Sequence, residues 1–381
     1  MLTLSTRNRT SKSRAKPRGR ELGLPFPGTP GRNNAITDVE GVTVGYSTIN
    51  RGAGTVVTGK GPVRTGVTAI LPRGQDTELC PTWAGVHVLN GNGEMTGTHW
   101  INDAGYFQGP IVITNTHSVS MAHHATTKWM IEHYARADPD QHMWVLPVVA
   151  ETYDGDLNDV NGQHVRERHV FAALQSASAG AIAEGNVGGG PGMICYEFKG
   201  GTGTSSRRVR IGRRGYTVGA LVQANHGVRD WLTILGVPVG KHLNEHRLRA
   251  QDRGSIIVVL ATDAPLMPHQ LTRVAKRASI GIGRHGTPGG NSSGDIFIAF
   301  SVANKTADSQ SAPVHRKFAY LNDEHFDPLY LASVEAVEEA VVNAMLAATD
   351  MTTVRPAGRL CAAIDHDRLC TVMREYNRLP G

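Results

Sequence analysis

Residues 256–261 read IIVVLA, an unbroken apolar run that starts directly after Gly254-Ser255. A strand with one face in water alternates polar and apolar side chains, so a continuous run predicts a strand covered on both faces. Asp263 can cap a following helix, whose apolar positions Leu271, Val274, Ala275 and Ala278 keep helical spacing. Residues 296–302 read as another strand. Asp327-Pro328 then opens a long helix with the stripe Val334, Val337, Val341 and Met345, while Glu335, Glu338 and Glu339 lie largely away from it. Strands covered by helices imply an α/β architecture with helical outer layers; layer number and strand order stay open.

Upstream, short β-branched runs at 42–46, 67–71, 111–114, 144–149 and 216–223 predict strands. Helices are expected over about 121–135 and 167–183, and residues 185–203, with eight glycines, as a loop. No repeat is visible. The 381 residues suit one large α/β domain or two or three smaller ones. With 40% hydrophobic residues, the chain is neither disordered nor a coiled coil. Cys80, Cys195, Cys361 and Cys370 form no CxxC pair, which excludes zinc ribbons and fits a reducing, cytoplasmic setting. No apolar run reaches membrane-spanning length, and none follows the N-terminal charges as a secretory signal requires.

The net charge of +6 is misleading, because residues 1–20 alone carry +7 and no acid. The rest is close to neutral, so a basic, disordered tail is expected over 1–33, joined through a Pro/Gly-rich linker at 23–31. A nucleic-acid-binding role through this tail is disfavoured, since no helix-turn-helix, RRM or zinc-finger pattern accompanies it.

Several apparent motifs fail on chemistry. GGTGTSSR (200–207) lacks the GK[ST] ending of a phosphate loop and reads as a flexible or substrate-lining loop. DGDLND (154–159) has Asp159 where a calcium loop needs glycine, and Val165 where it needs the bidentate glutamate. His242, Glu245 and His246 do not follow the HExxH order. No metal or organic cofactor is implied.

Gly254-Ser255 is more informative. A polar, arginine-rich segment, 241–253, ends in glycine, and a hydroxyl residue opens the buried strand. A serine there could attack the preceding carbonyl and form an ester that water opens. Glycine tolerates the close approach this requires. Ser255 would then become an N-terminus whose α-amine, with a reference pKa of about 7.7–8.0, can serve as its own base. Taken alone, however, Gly-Ser before a strand is common.

Ordered segments add weight: ITDVEGVTVGYST (36–48), TGVTAILPRG (65–74), NGNGEMTGTHWINDAG (90–105), PIVITNTHSV (110–119), VVAETYDGDLND (148–159), VGALVQANHG (218–227), DRGSIIVVLATDAPL (252–266) and GNSSGDIFIAFS (290–301). Together they resemble the DmpA/BapA family of self-processing serine aminopeptidases. The resemblance implies a four-layer αββα sandwich like that of N-terminal-nucleophile hydrolases, with different connectivity. It implies one domain over 34–381, cut between Gly254 and Ser255 into an α chain (1–254) and a β chain (255–381), assembled as a homotetramer of such pairs. By position it makes Ser255 the nucleophile and Asn225 the oxyanion donor, with Tyr153 supporting the oxyanion. Glu151 becomes the anchor for the substrate's amine, and Ser293 and Asp295 the proton relay. Some relatives carry glutamate at the last position, one methylene longer. The implied substrates are short peptides, amino-acid amides and esters. An acyltransferase using the same intermediate is the nearest alternative; ornithine acetyltransferases of related fold use threonine. An unprocessed relative with a binding role is the other.

Overall fold

The structure, a computed structural model, describes residues 16–134, 142–306 and 313–380. In chain order its strands are β1 (Thr43–Arg51), β2 (Val63–Leu71), β3 (Thr82–Gly91), β4 (Tyr106–Phe107), β5 (Ile111–Asn115), β6 (Val148–Thr152), β7 (Ile194–Cys195), β8 (Phe198–Lys199), β9 (Gly201–Ile211), β10 (Arg214–Asn225), β11 (Ser255–Thr262), β12 (Gly294–Ser301), β13 (Met351–Val354) and β14 (Ala357–Cys361). Its helices are α1 (Thr98–Ala104), α2 (Val119–His133), α3 (Glu167–Gln175), α4 (Val239–His242), α5 (Pro268–Gly283), α6 (Asp327–Ala347) and α7 (His366–Glu375).

Two mixed sheets carry the fold, in the orders β1-β2-β5-β6 and β4-β3-β12-β11-β10-β9. They face each other across a core that includes Ile70, Ile113, Leu221, Ile257, Val259 and Ile298. Helices α2 and α3 cover the outer face of the four-stranded sheet, with Trp129 and Leu174 against Val67 and Val112. Helices α5 and α6 cover the six-stranded sheet, with Val274 and Val337 in one cluster with Ile256, Val258 and Phe297. The result is the four-layer αββα sandwich. Strand β11 shows why its sequence is continuously apolar. Ile257, Val259 and Ala261 join the core between the sheets, and Ile256, Val258 and Leu260 join the one under the helices.

Several local expectations change. GGTGTSSR, read as a flexible loop, forms most of β9. Its glycines serve close packing: a Cβ on Gly203 would lie 2.0 Å from the Ala340 carbonyl oxygen of α6. Helix α6 is buried all round from Ala332 to Leu346, including Glu335, Glu338 and Glu339. Arginines explain this: Arg207 of β9 pairs with Glu339 at 2.7 Å and Glu335 at 3.3 Å, and Arg284 with Glu338 at 2.7 Å. Asp263 does not cap α5 but accepts the Thr217 N–H at 2.7 Å. Helix α3 stops at Gln175, short of the expected 183, because Ser178 then exchanges backbone hydrogen bonds with Val44 on the sheet edge. The strand expected at 144–149 starts only at Val148.

The tail also differs. Residues 1–15 and 135 lie outside the described residues, but 16–33 pack against the fold. Leu24 and Phe26 are buried. Arg18 pairs with Glu184 at 2.7 Å, and Arg20 with Glu339 at 3.0 Å. These acids are far away in sequence, so the segment's charge balance was invisible there. Among the described residues, no helix is long and apolar enough to cross a membrane.

Candidate active site

Ser255 is the first residue of β11 and is buried. It pairs with Asn225, the last residue of antiparallel β10, and with Gly294, the first of parallel β12. The start of β11 therefore meets the end of one neighbour and the start of the other. On the facing sheet, β6 ends at Thr152 and delivers Glu151 and Tyr153 toward the same place. One end of the sandwich thus gathers the residues singled out in the sequence.

Asn225 is fully buried, with its amide fixed at both ends. Its Oδ1 accepts the Ile194 N–H at 2.7 Å, and its Nδ2 donates to the Tyr153 carbonyl at 2.8 Å. The backbone donor sets which end is nitrogen, and the second Nδ2 hydrogen is used in neither bond. The Tyr153 phenol is half-buried, and desolvation raises its pKa, which keeps it a protonated donor.

Glu151 is buried on β6. Its Oε1 accepts the Glu94 N–H at 3.0 Å, and its Oε2 accepts the Thr116 hydroxyl at 2.5 Å. Gly93 lies between it and the start of β12: a Cβ there would sit 3.1 Å from Glu151 Oε1 and 3.3 Å from the Gly294 Cα. Desolvation raises the pKa of this carboxyl, and the Thr116 and Glu94 bonds oppose the rise. An incoming ammonium would favour the charged form.

Ser293 donates its hydroxyl to Asp295 Oδ1 at 2.6 Å, and both side chains are buried. Asp295 lies opposite Ile256, one residue beyond Ser255. Its other oxygen accepts from Asn90 Nδ2 at 3.0 Å, from β3. Burial pushes its pKa up to about 6, with Ser293 and Asn90 holding it down and the Asp252 charge adding to the rise.

The peptide before Ser255 is held tightly. The Gly254 N–H donates to Asp252 Oδ1 at 3.1 Å, and the Gly254 carbonyl accepts the Gly294 N–H at 3.3 Å. A Cβ on Gly254 would lie 1.7 Å from the Asn225 carbonyl oxygen. Further back, Glu197 Oε2 accepts the N–H groups of Leu248 at 2.5 Å and Arg249 at 2.9 Å, and Oε1 accepts that of Arg229 at 2.9 Å. Arg249 also binds Asp156 at 2.6 Å. Glu197 sits with Tyr196 in a tight turn where both residues have positive φ, 61° and 50°. Such backbone is strained for side chains of this size, and the three N–H bonds to the Glu197 carboxylate hold it there.

Sequence reasoning missed Asn90, Thr116, Asp252 and Glu197. Asn90 and Thr116 bond partners on other strands, and Asp252 bonds the Gly254 N–H two residues on. The rejected motifs also find partners. Asp154 accepts from Asn115 at 2.9 Å and Asn158 at 3.0 Å, and His242 meets the Tyr376 hydroxyl at 2.9 Å. Among the described residues, no group of three or more His, Cys, Asp or Glu side chains is placed to hold a metal ion.

A buried serine at a strand start, paired with a fixed amide and near buried carboxyl groups, suits acyl transfer. The model of peptidase family S58 matches residues 34–357. The chain belongs to peptidase family S58. Two curated relatives are both beta-peptidyl aminopeptidase BapA. The one from Sphingosinicella microcystinivorans is 49% identical over 95% of this chain and 93% of its own. The one from Sphingosinicella xenopeptidilytica is 46% identical over 95% and 92%. Among solved structures, the L-aminopeptidase D-Ala-esterase/amidase of Ochrobactrum anthropi superposes with a TM-score of 0.92 at 58% identity, covering 96% of this chain and all of that one. That enzyme is described as a prototype of the serine aminopeptidases and a variant of the Ntn hydrolase fold. A Burkholderia beta-aminopeptidase superposes at 0.85 with 47% identity, covering 94% and 98%. The S58 assignment makes this chain a serine-type aminopeptidase or amidase of the DmpA/BapA kind on an Ntn-like αββα fold.

Proposed function

We propose that the chain processes itself between Gly254 and Ser255, and that the new N-terminal serine then releases N-terminal residues from short peptides, amino-acid amides and esters. The observation that carries this is Ser255 itself: buried, opening β11, and preceded by a glycine whose carbonyl accepts the Gly294 N–H. In the precursor, Ser255 Oγ attacks that carbonyl carbon. The C–N bond breaks, the hydroxyl proton passes to the departing nitrogen, and water opens the resulting ester. The freed amine then takes the Oγ proton during attack on a substrate carbonyl. The side-chain amide of Asn225 and the phenol of Tyr153 stabilise the oxyanion, and Glu151 accepts the substrate's ammonium. Donors of this oxyanion type are each worth about 10²–10³ in rate. Ser293 and Asp295 hold and move protons beside the nucleophile. Amides and esters pass through the same acyl-enzyme, which water then clears.

Intact mass measurement of the wild type beside Ser255→Ala, both denatured, tests this reading. Two wild-type chains, the smaller beginning at Ser255, and one uncut mutant chain are expected. A wild type that stays intact on long incubation refutes the self-processing mechanism.

A further inference from the structure

A cleft of about 310 Å³ has walls that include Arg249, Arg253, Arg355, Arg359, Asp156 and Ile194. Its charge is lopsided. Arg249 is neutralised by Asp156 at 2.6 Å. Arg359 is pinned on uncharged groups, the carbonyls of Leu248, at 3.0 Å, and Arg247. Among the described residues, none of Arg253, Arg355 and Arg359 has an ion-pair partner. Three uncompensated guanidinium groups therefore face one small, partly enclosed space, where a single anion would meet a strong field.

The location gives this charge a use. The Ile194 N–H that fixes Asn225 Oδ1 belongs to a residue of the cleft wall. Arg253 adjoins the Gly254-Ser255 junction, and the Arg355 charge acts on the Tyr153 phenol. Glu151, by contrast, lies beside Gly93 and Gly294. A negative anchor and a positive cleft thus both adjoin the oxyanion donors. A short peptide in water is a zwitterion with matching polarity.

We infer that the arginine cleft binds the free C-terminal carboxylate of the peptide's leaving portion, so that the enzyme selects very short peptides with both ends free. The inference rests on the aminopeptidase reading and narrows its substrate class. Guanidinium matches carboxylate in two-pronged geometry, and a charge-assisted pair of this kind corresponds to about 10- to 100-fold in binding.

The test compares kcat/KM on the processed enzyme for three compounds sharing one N-terminal residue: the aminoacyl-glycine, its C-terminal amide, and the aminoacyl p-nitroanilide. The free acid should exceed the amide by at least about tenfold, mainly through KM. In Arg355→Gln, and independently in Arg253→Gln, that ratio should fall toward one. Mass measurement of the two chains and a thermal melt confirm that each variant is folded and processed. Equal efficiency on acid and amide in the wild type overturns the inference and leaves the cleft to another anion, such as the Gly254 carboxylate created by processing. A ratio that survives in both folded variants also overturns it. No turnover of the p-nitroanilide by the wild type would be a failure of the aminopeptidase reading itself, and so is told apart.

Discussion

Gly254→Ala separates the geometry of the proposed self-processing from its chemistry, because it removes no reacting group. A Cβ at this position would stand 1.7 Å from the Asn225 carbonyl oxygen, 2.7 Å from its carbonyl carbon and 2.8 Å from the His226 Cα. All three atoms are backbone, so no side chain can swing aside. Ordinary contact needs about 3.5 Å, so residue 254 or the end of β10 must move by roughly 1.8 Å. The same stretch of β10 carries Asn225, paired directly with Ser255. Overpacking of this kind costs about 1–3 kcal/mol. A displacement near 1 Å at the reacting carbonyl is worth about 10² in rate. The cut should therefore slow by about 100-fold, with the precursor persisting while its melt stays cooperative. A time course of precursor and product by denaturing electrophoresis and intact mass reads this directly. Cutting at the wild-type rate would refute the close-approach argument, and the need for glycine at this position with it.

Three further outcomes are expected. Removing the Asn90 bond to Asp295 in Asn90→Ala takes away a stabiliser of the ionised carboxylate, so its pKa should rise from about 6. If Asp295 must be ionised to work, the acid limb of kcat/KM against pH moves upward by about one unit; an unmoved limb with an unchanged plateau would remove Asp295 from that role. For stability the sign is opposite to that of a salt-bridged acid. The carboxyl is protonated in the fold up to about pH 6 but ionises in the unfolded chain near 3.9, so its contribution is fullest at low pH and is lost as pH rises between the two. Separately, Gly203→Ala should destabilise the fold by about 3 kcal/mol, because the new Cβ meets the Ala340 carbonyl oxygen at 2.0 Å. A thermal or urea melt checks this, and an unchanged midpoint would contradict the packing of α6 on β9.

The parts of the fold legible in the sequence are those fixed by burial alone. Residues 256–261 are apolar because β11 lies between two cores, and the stripe of α6 is apolar because it lies on a sheet. The misreadings share one cause, which is that the deciding partner is distant in sequence. Gly203 looks like a loop glycine until the Ala340 carbonyl is beside it. Glu339 looks like a solvent-facing acid until Arg20 and Arg207 arrive from elsewhere. Arg18 looks like part of a loose tail until Glu184 meets it. At the site, the residue pattern marked Ser255, and the family resemblance added Asn225 and Glu151. Neither marked Asn90, Thr116 or the Glu197 clamp, which act through contacts between strands and turns.

The strand order has a consequence for the lifetime of the molecule. Around the junction the sheet runs β3-β12-β11-β10. A break at residue 254 leaves the shorter piece holding the two middle strands and the longer piece holding a neighbour on each side. The pieces are interleaved, and the Arg20 and Arg207 contacts to Glu339 also cross between them. The chain would fold once as a single molecule, with every strand tethered to the next. After the break, the same sheet could be rebuilt only by two separate molecules meeting, each with open strand edges prone to aggregation. Maturation would thus turn a reversible fold into one whose persistence is governed by its unfolding rate.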